Sequence, residues 1–452
     1  MTRSETMPAP ADQTARMGGV SAETVAELAA RAGEPAFLAD RRARAWAYCE
    51  KTKFPTRVEE LWRRTDISAI KWDSLRVERE PHAAARTVAD LPAELRAEIG
   101  PADERSALVV VLDNSVVFLE RNEALTQSGV TVLPLAQAAR EKPALVERIL
   151  GATVRYDESR FTGLNAALGS EGLLVHVPSE VALTKPIRVL VARSTPDLAQ
   201  FPHLVVALES GAKATVIEEY VSYGEPGTAV VVPVTEITVG ERAELHLATL
   251  FRWAGNVYHF GVERARIGRE GRFHWTLAAL GGKLVKTDME LHLEGEGAEG
   301  KFSGCYFGDE SQHFDFHTFQ NHVVGHTTSD LLFKGALRDR ARMIYQGLIR
   351  VNKDAQGSDA YQANRNLILS DKARADSIPS LEIKANDVRC THGATVGQVD
   401  SEQLFYLMAR GMNKHDAERL IISGFFEPVL ERIPSPTLRA LVTEAMDRKA
   451  GK

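Results

Sequence analysis

The sequence predicts a mainly β protein, a β-solenoid flanked by helical regions. Between about residues 171 and 395, short runs rich in Val, Ile, Thr, Phe and Leu recur, separated by brief corners. These corners are evenly spaced, since those at Gly211, Gly240, Gly268 and Gly295 lie 29, 28 and 27 residues apart. A stacked core that turns repeatedly gives such a period, whereas a β-sandwich gives short strands without one.

A second set of corners uses aspartate in place of glycine. They begin at Asp339, Asp354 and Asp371, which are 15 and 17 residues apart. In both sets the corner residue is soon followed by a β run, as expected where a chain turns around a stacked core. The predicted solenoid occupies residues 105–395 and is followed by a helical region, residues 396–452.

The predicted N-terminal helical region spans residues 21–104. Apolar residues at helical spacing predict one helix from Ser21 and another from Pro35. Cys49 falls on the apolar face of the second helix and is interpreted as a small core residue. Trp62 is interpreted as an anchor that holds this region onto its neighbour.

The C-terminal region begins with a clear helix start signal. Asp400 and Gln403 have the spacing of a capping box, and Gly411 is placed to end that helix. Asn413 is predicted to cap a second helix that closes near Phe426. The aromatic residues of this short region must pack on the solenoid or on a partner.

Composition excludes several classes of protein. The 452 residues are 44% hydrophobic and 26% charged with a net charge of −6, which gives no reason to expect nucleic-acid binding. We expect residues 1–20 to be disordered, and they lack the apolar run of a signal peptide. No run of about 18 apolar residues predicts a membrane span. Three widely spaced cysteines do not make a disulfide framework, so we expect a cytoplasmic protein.

Common catalytic motifs do not occur in the sequence. The phosphate-binding Gly-x-x-x-x-Gly-Lys-Ser/Thr pattern is missing, and the segment GGKLVKT at Gly281 has the wrong spacing. Neither Gly-x-Ser-x-Gly nor His-Glu-x-x-His occurs. ATP hydrolysis, if it is coupled to this chain, therefore belongs to another subunit.

Cys390 and His392 are the strongest candidate ligands. In an extended segment they lie on one face, because strand side chains alternate with period two. A thiolate beside an imidazole is half of a site for iron, zinc or an iron-sulfur cluster. The residues alone favour the alternative, a small thiol and a hydrogen-bonded histidine at the last turn of the solenoid, since two ligands do not complete a coordination sphere.

A histidine-rich segment, residues 305–326, suggests a second function, a metal-dependent enzyme on a β-helix. Its potential ligands are Cys305, His313, His317, His322 and His326. Histidines four apart in a strand lie roughly 13 Å from one another, which fits a closed metal site poorly. Histidines that support turns or a strand edge are the favoured interpretation.

Four motifs resemble the SufD family, the non-ATPase scaffold subunits of the Suf iron-sulfur assembly machine. They are FPTRVEELWRRTDIS (54–68), HTTSDLLFKGAL (326–337), DAYQANRNLILS (359–370) and VRCTHGATVGQVDSEQLFYLMARG (388–411). The resemblance covers most of the chain. It implies a right-handed parallel β-helix between helical regions, and assembly of clusters with SufB and the ATPase SufC for transfer to apoproteins.

The resemblance also implies roles for the last motif. His392 matches a functionally important histidine that faces SufB, with Cys390 a weaker candidate, and Thr391 stands where serine is common. SufB tends to have glutamate directly after the motif histidine, whereas this chain has Gly393. It also lacks cysteine between Cys305 and Arg389, so the thiol and carboxylate for a cluster must come from elsewhere.

The cofactor implied by the resemblance is a transient iron-sulfur cluster shared with SufB, and flavin binding stays open. The isolated chain is a candidate homodimer. SufD-like C-terminal regions dock on SufC, which makes a set of residues the candidate partner-binding site: Phe405, Leu407, Arg410, Gly411, Leu420, Phe425 and Phe426.

Overall fold

A computed structural model describes residues 17–77, 81–169, 172–224, 227–433 and 436–451. The predicted fold class is confirmed: a β-solenoid of about eight turns lies between helical regions. Most of the segment predicted to be disordered lies outside the described residues. Met17, at its end, is already buried in the N-terminal apolar cluster.

The solenoid and its approaches are built from short strands. In the described residues these are β1 (Ala107–Leu112), β2 (Ser115–Arg121), β3 (Thr131–Pro134), β4 (Leu173–Val177), β5 (Ile187–Arg193), β6 (Ala199–Gln200), β7 (His203–Leu208), β8 (Lys213–Ser222), β9 (Ala229–Val231), β10 (Val234–Val239), β11 (Glu244–Arg252), β12 (Val257–Ile267), β13 (Arg272–Ala279), β14 (Leu284–Leu293), β15 (Glu299–Gly308), β16 (His313–His322), β17 (Thr328–Leu337), β18 (Arg342–Val351), β19 (Ser358–Ile368), β20 (Arg374–Ile383) and β21 (Val388–Gln398).

Helices precede, interrupt and follow these strands. They are α1 (Ala22–Ala32), α2 (Ala36–Lys51), α3 (Ala93–Glu98), α4 (Glu123–Gln127), α5 (Leu135–Glu141), α6 (Pro143–Ile149), α7 (Arg160–Leu168), α8 (Ser401–Ala409), α9 (Lys414–Leu430) and α10 (Pro436–Ala450). Short 3₁₀ turns are found at Glu60–Trp62, Trp72–Ser74, Val88–Asp90 and Ala102–Glu104.

The strands form two sheets, and from β10 onward consecutive strands alternate between them. The first sheet has the order β2-β1-β5-β8-β11-β13-β15-β17-β19-β21, and the second has the order β20-β18-β16-β14-β12-β10-β7-β4-β3. Strand pairing is antiparallel only for β1 with β2 and for β3 with β4 among the pairs found in the described chain. Each coil therefore adds one parallel strand to each sheet.

The predicted corners lie between strands, as expected. Gly211, for example, separates β7 from β8 and has a positive φ of 69°, a conformation that glycine adopts without strain. Gly295 serves a different purpose, because a Cβ there would overlap the backbone of Arg269 in the coil below. The regular spacing of these glycines therefore has two causes, tight turns and the close stacking of successive coils.

The interior of the solenoid is apolar and largely aromatic in its middle coils. Trp275 on β13 and Phe302 on β15 are register partners, and their rings stack with centroids 5.1 Å apart. Phe314 and Phe316 on β16 are fully buried on the facing sheet. Side chains that occupy equivalent places in successive coils therefore form continuous columns along the solenoid axis.

Two carboxyl groups interrupt this apolar interior. Glu218 on β8 and Glu263 on β12 are 1% and 2% exposed, on opposite sheets. Tyr220 donates a 2.7 Å hydrogen bond to Glu218 Oε1. Burial raises the pKa of Glu218 to about 7, and burial followed by repulsion from Glu218 raises the pKa of Glu263. Both groups are more easily kept protonated inside the solenoid than in water.

These carboxyl groups make stability depend on pH. The pKa of Glu218 is about 7 in the fold against an ordinary value of 4.5, so the folded chain keeps a proton that the unfolded chain releases. Its stabilising effect is complete below the ordinary pKa and is lost as the pH rises through about 7. We expect the Tm to fall between about pH 4.5 and about pH 7, and Glu218→Gln to flatten that fall.

Thermal unfolding followed by circular dichroism at several pH values measures this effect. Glu270→Gln, at an exposed corner, is the control and should leave the pH dependence unchanged. An identical pH dependence in the wild type and the Glu218→Gln variant would contradict the assignment.

The N-terminal helices begin where the sequence predicts. Ser21 caps α1, Pro35 precedes α2, and Cys49 is buried between α2 and α7. Trp62 stacks on Phe161 of α7 at 5.3 Å, which confirms its interpretation as an anchor.

Three sequence expectations need correction. Helices α4 to α7 interrupt the segment predicted to be continuous solenoid, residues 105–395. Helix α9 does not close near Phe426 but continues to Leu430, since an apolar face still packs on the solenoid beyond that point. The Asp400 side chain accepts from the N–H groups of Glu402 and Gln403 without the reciprocal Gln403 bond of a capping box.

Candidate functional site: the open end of the solenoid

Strand β21 is the last strand of the first sheet and is exposed along most of its length. It pairs only with β19, just as β20 at the end of the second sheet pairs only with β18. No further coil of the described chain lies above these two strands. Their outer edges therefore offer unpaired backbone N–H and C=O groups to another chain.

Cys390 and His392 lie on one face of β21. Their register partners on β19 are Ala360 and Gln362, which belong to the interior side of the solenoid. Cys390 is half-buried and packs against the apolar cluster of the last coils, whereas His392 is exposed. Partial burial, followed by the nearby charge of Asp359, raises the pKa of the Cys390 thiol. The thiol is thus poorly ionised, and the imidazole is the accessible ligand.

The interior column that ends at His392 changes from apolar to polar. From the middle of the solenoid outward, the register partners are Trp275, Phe302, Leu331, Gln362 and His392. Gln362 is fully buried although it is a primary amide. The open end therefore has a polar floor beneath the exposed imidazole.

Next to Gln362, a polar network joins two residues of β19 to one residue of β15. Asn366 Nδ2 donates to Asn364 Oδ1 at 2.6 Å, and Asn364 Nδ2 donates to the Tyr306 hydroxyl at 3.0 Å. Tyr306 in turn donates to Asn366, which closes a ring of three side chains. These buried amides satisfy one another.

The histidine-rich segment does not come together as a metal site. Cys305 lies on β15 and faces the C-terminal helices, while His322 on β16 is inside the solenoid, within 2.7 Å of the Thr327 hydroxyl and 2.8 Å of the Ser329 hydroxyl. His326 occupies a corner with a positive φ of 56°. In the described part of the chain, no three His, Cys, Asp or Glu side chains are grouped to hold a metal ion.

His317 belongs instead to a buried cluster of charges on the outer face of the second sheet. Lys286 Nζ lies 3.0 Å from Asp315 Oδ2 and 3.0 Å from His317 Nε2, and it donates to the Leu61 carbonyl at 3.0 Å. Burial and Lys286 lower the pKa of His317, but Asp288 and Asp315 outweigh them and raise it. This cluster fastens the segment around Leu61 to the solenoid, a role that residue spacing did not reveal.

The candidate partner-binding residues of the C-terminal helices fall into three groups: exposed, buried and intermediate. Phe405 and Leu420 are 73% and 52% exposed, and Arg410 and Gly411 are also exposed. Phe426 is 1% exposed, so the expectation that it is displayed is wrong: it packs with the outer face of the first sheet.

The remaining two candidates have intermediate solvent exposure. Leu407 is half-buried, and Phe425 is half-buried beneath Lys334, whose Nζ lies 4.8 Å from the ring centroid. Tyr406 and Met408, which the sequence did not single out, are 58% and 43% exposed beside Phe405. Helix α8 therefore presents the larger apolar surface.

The fold and the open end together define a solenoid scaffold, an elongated protein whose last coil is available to another chain. Two family profiles match the sequence: "SufBD protein N-terminal region" over residues 25–189 and "SUF system FeS cluster assembly, SufBD core domain" over residues 190–425. The chain belongs to the SufBD family of iron-sulfur cluster assembly proteins.

Curated relatives agree with this family. The chain is 30% identical over 418 residues to the iron-sulfur cluster assembly protein SufD of Bacillus subtilis. The aligned region covers 92% of this chain and 94% of the relative. It is 26% identical over 424 residues to SufBD family proteins of Staphylococcus haemolyticus and Staphylococcus epidermidis, covering 92% of this chain and 90% of each relative. Within the described residues, no helix has the length and apolarity to cross a membrane.

Gln362 lies at this site, although no motif in the sequence singles it out. It belongs to the segment YQANRNL, where Gln362, Asn364 and Asn366 alternate with other residues. Side chains in a strand alternate between its two faces, so these three amides share one face, but the pattern does not say that this face is the interior. The identity of the neighbouring strand could not be read from that pattern, so its position beneath His392 was not foreseen.

Proposed function

We propose that this chain is a SufD-type scaffold subunit, which works in the cytoplasm with SufB and the ATPase SufC to build iron-sulfur clusters and pass them to apoproteins. The observation that carries the proposal is the position of His392 on the exposed last strand of the solenoid. Membership of the SufBD family and the 30% identity to the SufD protein of Bacillus subtilis support it.

The proposed partner at the open end is SufB. Strand β21 exposes an unpaired edge, and such an edge favours the addition of a strand from a second chain. A SufB solenoid that brings its own last coil to this edge would cover His392 and Cys390. Isolated from SufB, this chain would use the same edge to form a homodimer.

The iron-sulfur cluster is the cargo of this interface. His392 supplies one nitrogen ligand, while the thiolate and carboxylate ligands come from SufB. A neutral imidazole binds iron without adding negative charge, so a site with one histidine releases its cluster more readily than a site of four thiolates. Cys390 is a secondary ligand, since its thiol is half-buried and poorly ionised.

Within the complex this subunit is a scaffold and not the source of chemical energy. Its sequence has no phosphate-binding loop of the ATPase type, so SufC hydrolyses the ATP. The proposed SufC contact is the exposed apolar surface of α8 and α9, centred on Phe405 and Leu420. The neighbouring exposed residues Arg410 and Gly411 extend it.

The SufC contact predicts a loss of affinity on truncation of these side chains. Burying an apolar side chain contributes roughly 1.5 to 3 kcal/mol, so Phe405→Ala and Leu420→Ala should each weaken SufC binding about tenfold or more. Isothermal titration calorimetry of the full chain with SufC measures the change. Phe425→Ala should have a smaller effect on binding, because that ring already packs beneath Lys334.

Leu61→Ala is the matched control for Leu420→Ala, because the two leucines are 53% and 52% exposed. Leu61 belongs to the N-terminal region and not to the proposed SufC contact on α8 and α9, so its truncation should leave SufC affinity unchanged. Wild-type affinity in both the Phe405→Ala and Leu420→Ala variants would refute this docking surface.

The role of His392 predicts a loss of function without a loss of assembly. Replacing an exposed imidazole removes little packing, so His392→Ala should co-purify with SufB and SufC as the wild type does. Cluster formation in cells should fall at least tenfold, measured as iron and sulfide bound per complex and as activity of a cluster-dependent enzyme. Cys390→Ala should lower it less.

His415→Ala is the control, since this histidine is exposed in the first turn of α9, outside the last coil. It should form clusters at the wild-type rate. The proposal fails if His392→Ala also forms them at that rate, or if its defect is traced to dissociation of the subunits.

A further inference from the structure

Gln362 is a buried amide without a hydrogen-bond partner at the floor of the open end. It is 0% exposed, and neither its Nε2 nor its Oε1 has a partner among the described residues. A primary amide removed from water normally has its hydrogen bonds made by other protein groups. Gln362 is an exception to this rule, and it lies directly beneath His392, the candidate ligand.

The register places Gln362 next to His392. The two residues are partners in the parallel pairing of β19 with β21, and the strands of a sheet lie about 4.8 Å apart. Partners in adjacent strands point to the same side of the sheet, so both side chains belong to one interior column. The Gln362 amide is thus the nearest buried polar group on that sheet to the base of the imidazole.

Neighbouring polar side chains already form hydrogen bonds with one another. Asn364, Asn366 and Tyr306 bond to one another, and Gln320 Nε2 donates to the Ser329 hydroxyl at 2.7 Å. Gln362 is therefore the member of this polar floor whose donor and acceptor are both available.

Space for this amide is created on the facing sheet. Gly347 on β18 has no side chain, and a Cβ there would overlap both the Gln362 amide and the Tyr345 hydroxyl. The Tyr345 hydroxyl is itself engaged, 2.8 Å from the hydroxyl of Thr318. The amide can turn within this space without displacing a side chain of residue 347.

We propose that Gln362 is a positioning residue for His392: when a partner chain covers the open end, the Gln362 amide oxygen accepts a hydrogen bond from the imidazole N–H. This fixes the proton on the ring nitrogen that faces the solenoid. The other ring nitrogen then presents its lone pair outward, where an iron ion can bind. Ligating histidines are commonly oriented in this way by a group that holds the second ring nitrogen.

This inference rests on the proposed function of His392 and adds a residue that never touches the cluster. The bond is absent in the uncovered chain, where the imidazole is exposed and the amide is unpaired. The two residues are register partners on adjacent strands, where side chains are close enough to interact, so the bond would form by rotation of the two side chains. Binding of a partner chain to the open end would thus also orient the His392 imidazole.

The test measures the tautomer of His392 directly. The full chain, labelled with ¹⁵N-histidine and bound to SufB without a cluster, should give ring nitrogen shifts typical of one fixed neutral tautomer. His392→Ala identifies the signals among those of the 13 histidines. Gln362→Met keeps the length of the side chain but removes the acceptor, so the shifts should move towards the average of the two tautomers.

Two further variants separate orientation from packing. Gln362→Glu retains an acceptor and should keep the fixed tautomer, whereas Gln320→Met makes the same change at a buried glutamine on the facing sheet and should leave His392 unaffected. Cluster formation in cells should fall several-fold in Gln362→Met and be rescued in Gln362→Glu. In a His392→Ala background, Gln362→Met should cause no further loss.

The proposal is overturned if His392 keeps the same fixed tautomer in Gln362→Met, or if Gln320→Met disturbs it equally. If Gln362→Met does not assemble with SufB, the Gln362→Glu complex decides. A carboxyl group there keeps an acceptor oxygen whether or not it is ionised, so loss of the fixed tautomer in that complex would overturn the proposal. A normal rate of cluster formation in His392→Ala would instead refute the proposed function itself.

Discussion

The structure depends on one constraint, that the backbone hydrogen bonds of each coil are satisfied by the coils on either side. From β5 to β21 the first sheet is a continuous parallel ladder, and the corner glycines let successive coils approach closely. Each strand added to such a ladder leaves a new unpaired edge, so another strand can always be added. At β21 it ends with an exposed edge, so the last coil is both the weakest part of the solenoid and its most available surface.

Elsewhere the chain itself covers parts of the outer faces of the solenoid. Helices α9 and α10 cover part of the first sheet through Phe426 and its neighbours, and the buried charges around Lys286 fasten the segment at Trp62 to the second sheet. The open end and the exposed side of α8 are two surfaces of the described chain that remain uncovered. Two partners of different kinds, one for each surface, are consistent with a scaffold.

Much of this arrangement follows from local chemistry and was predictable. Corner residues such as Gly211 and Asp339 mark the turns, and the caps Ser21 and Asn413 mark helix starts, because each acts within a few residues. Long-range packing was not predictable in the same way. Whether Phe426 faces a partner or the solenoid, and which strand lies beneath His392, depend on contacts between residues far apart in sequence.

Hydrogen-deuterium exchange can measure whether SufB covers the edge of β21, as proposed. The amides of Val388–Gln398 that point away from β19 should exchange rapidly when the isolated chain is diluted enough to be monomeric. They should be strongly protected when SufB is bound, since a second strand would then hydrogen-bond to that edge. Strand β13, inside the ladder, should be protected in both states. A stable complex with SufB in which these amides exchange as fast as in the monomer would show that SufB does not bind at this edge.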